Sequence, residues 1–213
     1  MKKIIVLLAL FISTLTYAQV SITDSIFSGG QWRYFRLYVP SIYTGTTAVP
    51  LLLNLHGYSS NAFEQEIYGE FRNIADTANF IMVLPEGTTD AFGFQFWNCF
   101  LADDIGVDDV QFLSDLIDSV ALDYNIDFNR IYSTGMSNGG FMSYTLAGEL
   151  SERIAAIASV TGSISDERLP AFAPTHPVPV MEIHGTADFT VPYNGSGSFL
   201  PVEDVIDYWV GIN

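Results

Sequence analysis

The chain has 213 residues, 49% of them hydrophobic, with 24 acidic side chains against eight basic ones and a formal charge of −16. So acidic a surface repels nucleic acid and anionic lipid, which removes both as partners, and it favours solubility without saying anything about fold.

Met1-Lys2-Lys3 carries the only two lysines and runs straight into the apolar stretch Ile4 to Ile12, followed by Thr16, Tyr17 and Ala18. A basic start, an apolar run too short to span a bilayer with these flanks, and a Thr-x-Ala exit read as a signal peptide cleaved after Ala18. Residues 1–18 are then a leader for export to the periplasm or the extracellular space, with no membrane attachment after cleavage. Losing both lysines takes the formal charge from −16 to −18. Residues 19–213 contain no linker or internal repeat and make one domain. Cys99 is the only cysteine. An unpaired thiol in an exported protein suggests a reactive group, an intermolecular bridge, or a bond whose partner is missing.

Val20 to Phe27 and Trp32 to Val39 alternate apolar and polar residues around Ser28-Gly29-Gly30, a β-hairpin pattern. Val49 to Leu55 is a continuous apolar run, as in a strand covered on both faces, and it ends at His56-Gly57. Asn61 to Ala78 has helical spacing in Phe63, Ile67, Phe71, Ile74 and Ala75. A second buried strand, Phe80 to Leu84, ends in Pro85-Glu86-Gly87. Asp108 to Leu122 is helical through Val110, Leu113, Ile117 and Val120, with acids in the first turn where the helix dipole favours them. Arg130 to Ser133 reads as a strand, Gly139 to Leu150 as a helix, and Ala155 to Val160 and Val178 to Ile183 as further strands. From Pro201 to Asn213 the residues Val202, Val205, Ile206, Trp209 and Ile212 share one helical face that starts clearly and has no stop signal. Strands alternating with helices predict right-handed βαβ units in a mostly parallel sheet, helices on both faces, and an antiparallel hairpin at one edge.

Ile131 to Met142 contains Gly135-Met136-Ser137-Asn138-Gly139 between a strand and a helix. A bare Gly-x-Ser-x-Gly arises in roughly 7% of chains this long, so the flanking elements carry the meaning. There the sharp turn lifts the serine hydroxyl above the sheet edge, and the glycines stand where a Cβ would clash. This predicts an α/β-hydrolase fold with Ser137 as nucleophile. The amide of Asn138, at a helix N-terminus, points at a developing oxyanion. Leu55-His56-Gly57-Tyr58 follows the first buried strand, where the second oxyanion amide belongs, from Tyr58 or Gly57. His184-Gly185-Thr186-Ala187-Asp188 follows the strand after the elbow unit, where the acid of a Ser, Asp, His order belongs; a turn-forming aspartate is the alternative.

At these residues the chain resembles the secreted polyhydroxybutyrate-depolymerase-like and feruloyl-esterase-like hydrolases of the esterase PHB group. The matches include Leu55-His56-Gly57, Pro85-Glu86-Gly87, Trp97-Asn98, Val107-Asp108-Asp109-Val110, Gly135-Met136-Ser137-Asn138-Gly139-Gly140 and His184-Gly185-Thr186-x-Asp188, and they run from about Trp32 to the end of the chain. The resemblance implies ester hydrolysis, with Ser137 and Asp188 matching the nucleophile and acid. It also implies a triad histidine well downstream of the aspartate, so the chain is expected to stop before its base, with the C-terminal part missing. An Asn-Cys expected just after the tryptophan of the last helix would supply a partner for Cys99. His56 is expected to brace the oxyanion loop, His184 to serve the turn, and His176 to lie at the far sheet edge.

The expected function is thus that of a secreted serine carboxylesterase acting through an acyl-enzyme on polyhydroxyalkanoate or on feruloyl or acetyl polysaccharide esters. No metal or cofactor is expected, the partner is an ester substrate, polymeric or small, and oligomeric state is not readable. Trp97 either lines an acyl or aryl pocket as a substrate-binding residue or packs beneath the loop. Asp103, Asp104, Asp108 and Asp109 match no calcium loop, which leaves helix capping or a solvated acidic face. The rival readings are a serine peptidase or dienelactone-type hydrolase on the same fold, and a non-catalytic polysaccharide-binding protein on a hydrolase scaffold.

Overall fold

The computed structural model describes residues 21–99 and 106–213, so the leader, Asp103 and Asp104 lie outside the described residues. Strands β1 (Ile22–Ser28) and β2 (Gln31–Tyr38) form the expected hairpin. Its two-residue turn places Gly29 at φ 57 and Gly30 at φ 80, the left-handed conformation a tight primed turn demands and only glycine adopts freely.

Next come β3 (Val49–Leu55), α1 (Ala62–Tyr68), α2 (Arg72–Ala78) and β4 (Ile81–Pro85). A small separate hairpin, β5 (Thr88–Thr89) with β6 (Gln95–Phe96), stands where only a loop was expected. The remaining elements are α3 (Asp109–Asp123), β7 (Ile126–Met136), α4 (Asn138–Glu149), β8 (Ala156–Val160), β9 (Val180–Ile183) and α5 (Val202–Ile212). Seven strands join in the order β1-β2-β4-β3-β7-β8-β9. Pairing is antiparallel from β1 to β4 and parallel from β4 onward.

Helices lie on both faces. On one, Leu51, Leu53 and Leu55 of β3 pack with Phe112, Leu116 and Ile117 of α3, Phe141 and Met142 of α4, and Val205 and Trp209 of α5. On the other, Met82 and Leu84 of β4 pack with Ala62 of α1 and Ala75 of α2. Beyond α2 this second face carries an apolar groove of about 270 Å³, lined by Leu52, Phe71, Tyr132, Ala156, Ala158 and Met181.

Three expectations change. The segment expected to be helical from Asn61 to Ala78 is two helices, and Phe63, Ile67 and Ile74 of its apolar stripe are more than half exposed. The inward face of α1 is polar instead: Gln65 Nε2 donates to Asn54 Oδ1 at 2.7 Å, and Glu66 pairs with Arg36 at 2.7 Å. Strand β7 is longer than Arg130 to Ser133, because its polar first half is carried by Val49 pairing with Ile126 across a register shift. Asp108 caps α3 by accepting from the amide of Gln111, but Asp109 is buried rather than solvated. It accepts from Arg33 at 2.6 Å and from the amide of Asn98 at 2.8 Å, and the Arg33 guanidinium lies 3.8 Å over the Phe112 ring. Removing one partner of so buried a pair costs about 3–5 kcal/mol.

Candidate active site

Ser137 is the residue between β7 and α4, and its backbone sits at φ 53, ψ −119. A non-glycine residue tolerates that conformation only where its surroundings enforce it. The enforcement comes from close packing: a Cβ on Gly139 would lie 2.3 Å from the carbonyl oxygen of Leu55, and one on Gly135 would lie 2.4 Å from Gly139. The Ser137 amide donates to the carbonyl of Val160 at 2.8 Å, which seats the turn at the C-terminal edge of the sheet.

The loop after β3 passes over this serine, since a Cβ on Gly57 would be 3.7 Å from Ser137 Cβ. Gly57 is buried and its carbonyl accepts from Ser60, whereas Tyr58 is 47% exposed. The amides of Tyr58 and Asn138 have no acceptor among the described residues, so two donors border the nucleophile from a loop and from a helix N-terminus. The Tyr58 hydroxyl donates to Asp90 at 2.6 Å, which raises the phenol pKa and lowers that of the carboxyl.

His56 is fully buried beneath that loop. Its Nδ1 lies 2.8 Å from the Gly57 carbonyl and its Nε2 accepts from the Gly87 amide at 2.9 Å, which fixes the neutral Nδ1–H form. Burial lowers its pKa to about 4.

Trp97, weighed as a pocket wall, is instead 0% exposed and cannot touch a substrate in this structure. Its indole donates to the carbonyl of His56 at 2.9 Å, and its ring sits 5.0 Å from the His56 ring. Its backbone is gripped by the Asn138 side chain, Oδ1 accepting at 2.6 Å and Nδ2 donating at 3.1 Å. Trp97 thus ties the loop carrying Tyr58 to the turn carrying Asn138, a bridging role that sequence spacing gave no means of seeing. Cys99 lies behind the same turn, with Asn138 Nδ2 3.0 Å from its sulfur, and burial pushes its thiol pKa well up. It is a free thiol in this structure.

Asp188 follows β9, two strands from β7 and at the same sheet edge. Its Oδ1 accepts from the amides of Thr190 at 2.8 Å and Val191 at 2.9 Å. Those bonds, Val191's first, hold its carboxyl below the usual range. Its other oxygen is 4.0 Å from His184 Nε2. No hydrogen bond joins Ser137 to a histidine among the described residues. His184 is engaged by Glu182 and Val191, and His176 Nδ1 lies 3.1 Å from Thr175 Oγ1, ahead of β9 and at the opposite sheet edge.

A mostly parallel sheet turning into a helix through a serine at φ 53 defines an α/β-hydrolase. The crystal structure of a thermostable esterase shares the fold, with a TM-score of 0.66 at 21% identity over 91% of this chain and 52% of that one. The chain belongs to the esterase PHB depolymerase family, whose sequence model matches residues 34–186. The bifunctional acetylxylan esterase/xylanase XynS20E of Neocallimastix patriciarum is 33% identical over 171 residues, which are 80% of this chain and 24% of that protein. Feruloyl esterase B of Piromyces equi is 33% identical over 163 residues, 73% of this chain and 29% of that protein. The chain therefore spans less than a third of the length of either relative.

Proposed function

We propose that the protein is an exported carboxylic ester hydrolase in which Ser137 is the nucleophile. The observation that carries this reading is the strained serine at φ 53, ψ −119 beside two amides, of Tyr58 and Asn138, that have no acceptor among the described residues. In this reaction Ser137 Oγ attacks the ester carbonyl, the amides of Asn138 and Tyr58 hold the oxyanion, and the alcohol leaves with a proton. Water then cleaves the acyl-serine, releasing the acid and restoring the hydroxyl. Asp188 supplies the carboxylate that orients the base. His56 is not that base, because both its nitrogens are committed and burial favours its neutral form. The base is the one member of the triad to which no residue is assigned.

The substrate class follows the relatives, which are named for acetylxylan and feruloyl esters, and the family, which is named for polyhydroxybutyrate. A polysaccharide-linked acetyl or feruloyl ester, or a polyhydroxyalkanoate, is the proposed substrate. Hydrolysis of p-nitrophenyl acetate by the full-length protein tests the chemistry. Ser137→Ala is expected to lower kcat by about 10³-fold or more while leaving the thermal melt unchanged. Activity retained in that variant sinks the mechanism. Export is tested by mass spectrometry of secreted material, which is expected to begin at Gln19.

A further inference from the structure

A second buried polar cluster runs from α4 to the Asp188 loop. The Tyr144 hydroxyl donates to Glu182 Oε2 at 2.9 Å, Glu182 Oε1 is 2.8 Å from His184 Nδ1, and His184 Nε2 is 2.7 Å from the carbonyl of Val191. The Glu182 and His184 side chains are 4% and 2% exposed. Val191 closes the series, because its amide donates to Asp188 Oδ1.

Counting protons fixes the roles. A backbone carbonyl only accepts, so His184 Nε2 carries a hydrogen. One proton then lies between Nδ1 and Glu182 Oε1, as imidazolium with carboxylate or as imidazole with carboxylic acid, and the pair is neutral in both forms. Burial raises the Glu182 carboxyl, drawing the shared proton toward it, while the bonds from His184 and Tyr144 pull the other way. In either form His184 has one orientation, with its Nε2–H on Val191.

The loop needs such an anchor. Gly185, Thr186, Ala187, Phe189 and Thr190 are all exposed, and the Asp188 amide reaches only Gly185 of the same turn. A catalytic carboxylate must nevertheless be held to within about 0.5 Å. We propose that His184, oriented by Glu182, is the positioning residue that holds Asp188 in register with Ser137 through its bond to the Val191 carbonyl. Tyr144 belongs to the helix that Ser137 opens, so nucleophile and acid hang on one buried relay. The inference rests on the assignment of Ser137 and Asp188 as nucleophile and acid.

The test uses the full-length protein, p-nitrophenyl acetate, and a cycle of variants. His184→Ala and Glu182→Leu are expected to lower kcat by about 10- to 100-fold with KM changed less than about three-fold, the pattern of an interaction felt in the transition state. Glu182→Gln is expected to keep kcat within about three-fold, since its amide donates to Nδ1 and accepts from Tyr144, remaking each bond without the shared proton. In an Asp188→Asn background, His184→Ala is expected to cost nothing further, because both changes disable one unit. Wild-type kcat in His184→Ala, or a loss additive with Asp188→Asn, overturns the proposal, as does Glu182→Gln falling as far as Glu182→Leu. Should His184→Ala not fold, nitrogen NMR of the histidine-labelled wild type decides. Nε2 of His184 protonated at neutral pH supports the proposal, and an Nδ1–H neutral tautomer overturns it. Unchanged activity in Ser137→Ala or Asp188→Asn would sink the underlying assignment instead, whatever the His184 variants do.

Discussion

His56 donates from Nδ1 to Gly57 and accepts at Nε2 from Gly87, and burial lowers its pKa to about 4. The unfolded chain, with a histidine pKa near ~6.5, binds more protons than the native state between those values, so stability falls as pH drops from about 6.5 toward 4. By pH 5 this one group removes about 2 kcal/mol. Urea unfolding at pH 7 and pH 5 is expected to show the wild type losing about 2 kcal/mol more than His56→Asn over that interval. Equal losses would mean the ring is not held neutral. The family resemblance implied that His56 braces the loop after β3, and its bonds to Gly57 and Gly87 tie that loop to the one after β4. Trp97 was not, because a loop residue has no periodicity to reveal its depth, and only its bonds to His56 and Asn138 choose packing over a pocket. Asp109 hid in the same way, its partner Arg33 lying 76 positions away.

Among the elements, the turn from β7 to α4 was the most legible, since its glycines answer to contacts that admit no alternative. Gly139→Ala would press a methyl carbon to within 2.3 Å of the Leu55 carbonyl oxygen, and backbone cannot yield as a side chain can. It is expected to cost about 3 kcal/mol or more. Gly211→Ala in α5 meets nothing within 4 Å and is expected to stabilise by up to about 1 kcal/mol. Denaturant melts of the two variants check both signs. The helical stretch from Asn61 to Ala78 misled because α1 buries Gln65 and Glu66, whose satisfaction by Asn54 and Arg36 no hydrophobic count registers. The β5–β6 hairpin was missed for want of length, two residues a side being too few to show alternation.

At the scale of the molecule, the parallel sheet, the edge hairpin and the placing of Ser137 and Asp188 at one sheet edge were readable from the alternation of strands and helices. The apolar groove at Tyr132, Ala156 and Met181 was not, because a strand's apolar residues do not say whether a helix covers them. Strand direction carries a further consequence. β1 is antiparallel to β2, and β2 to β4, so β1 runs the same way as β4, β3 and β7. Ser21 therefore enters at the end of the sheet opposite Ser137, and laterally four strands away, about 19 Å at the usual strand spacing. A bead or cell surface joined just ahead of Ser21 would sit behind the sheet, with the edge that carries Ser137 turned outward. Immobilisation through the N-terminus is expected to leave kcat on a polymeric ester within about two-fold of the free enzyme, as initial rates on beads and in solution would show.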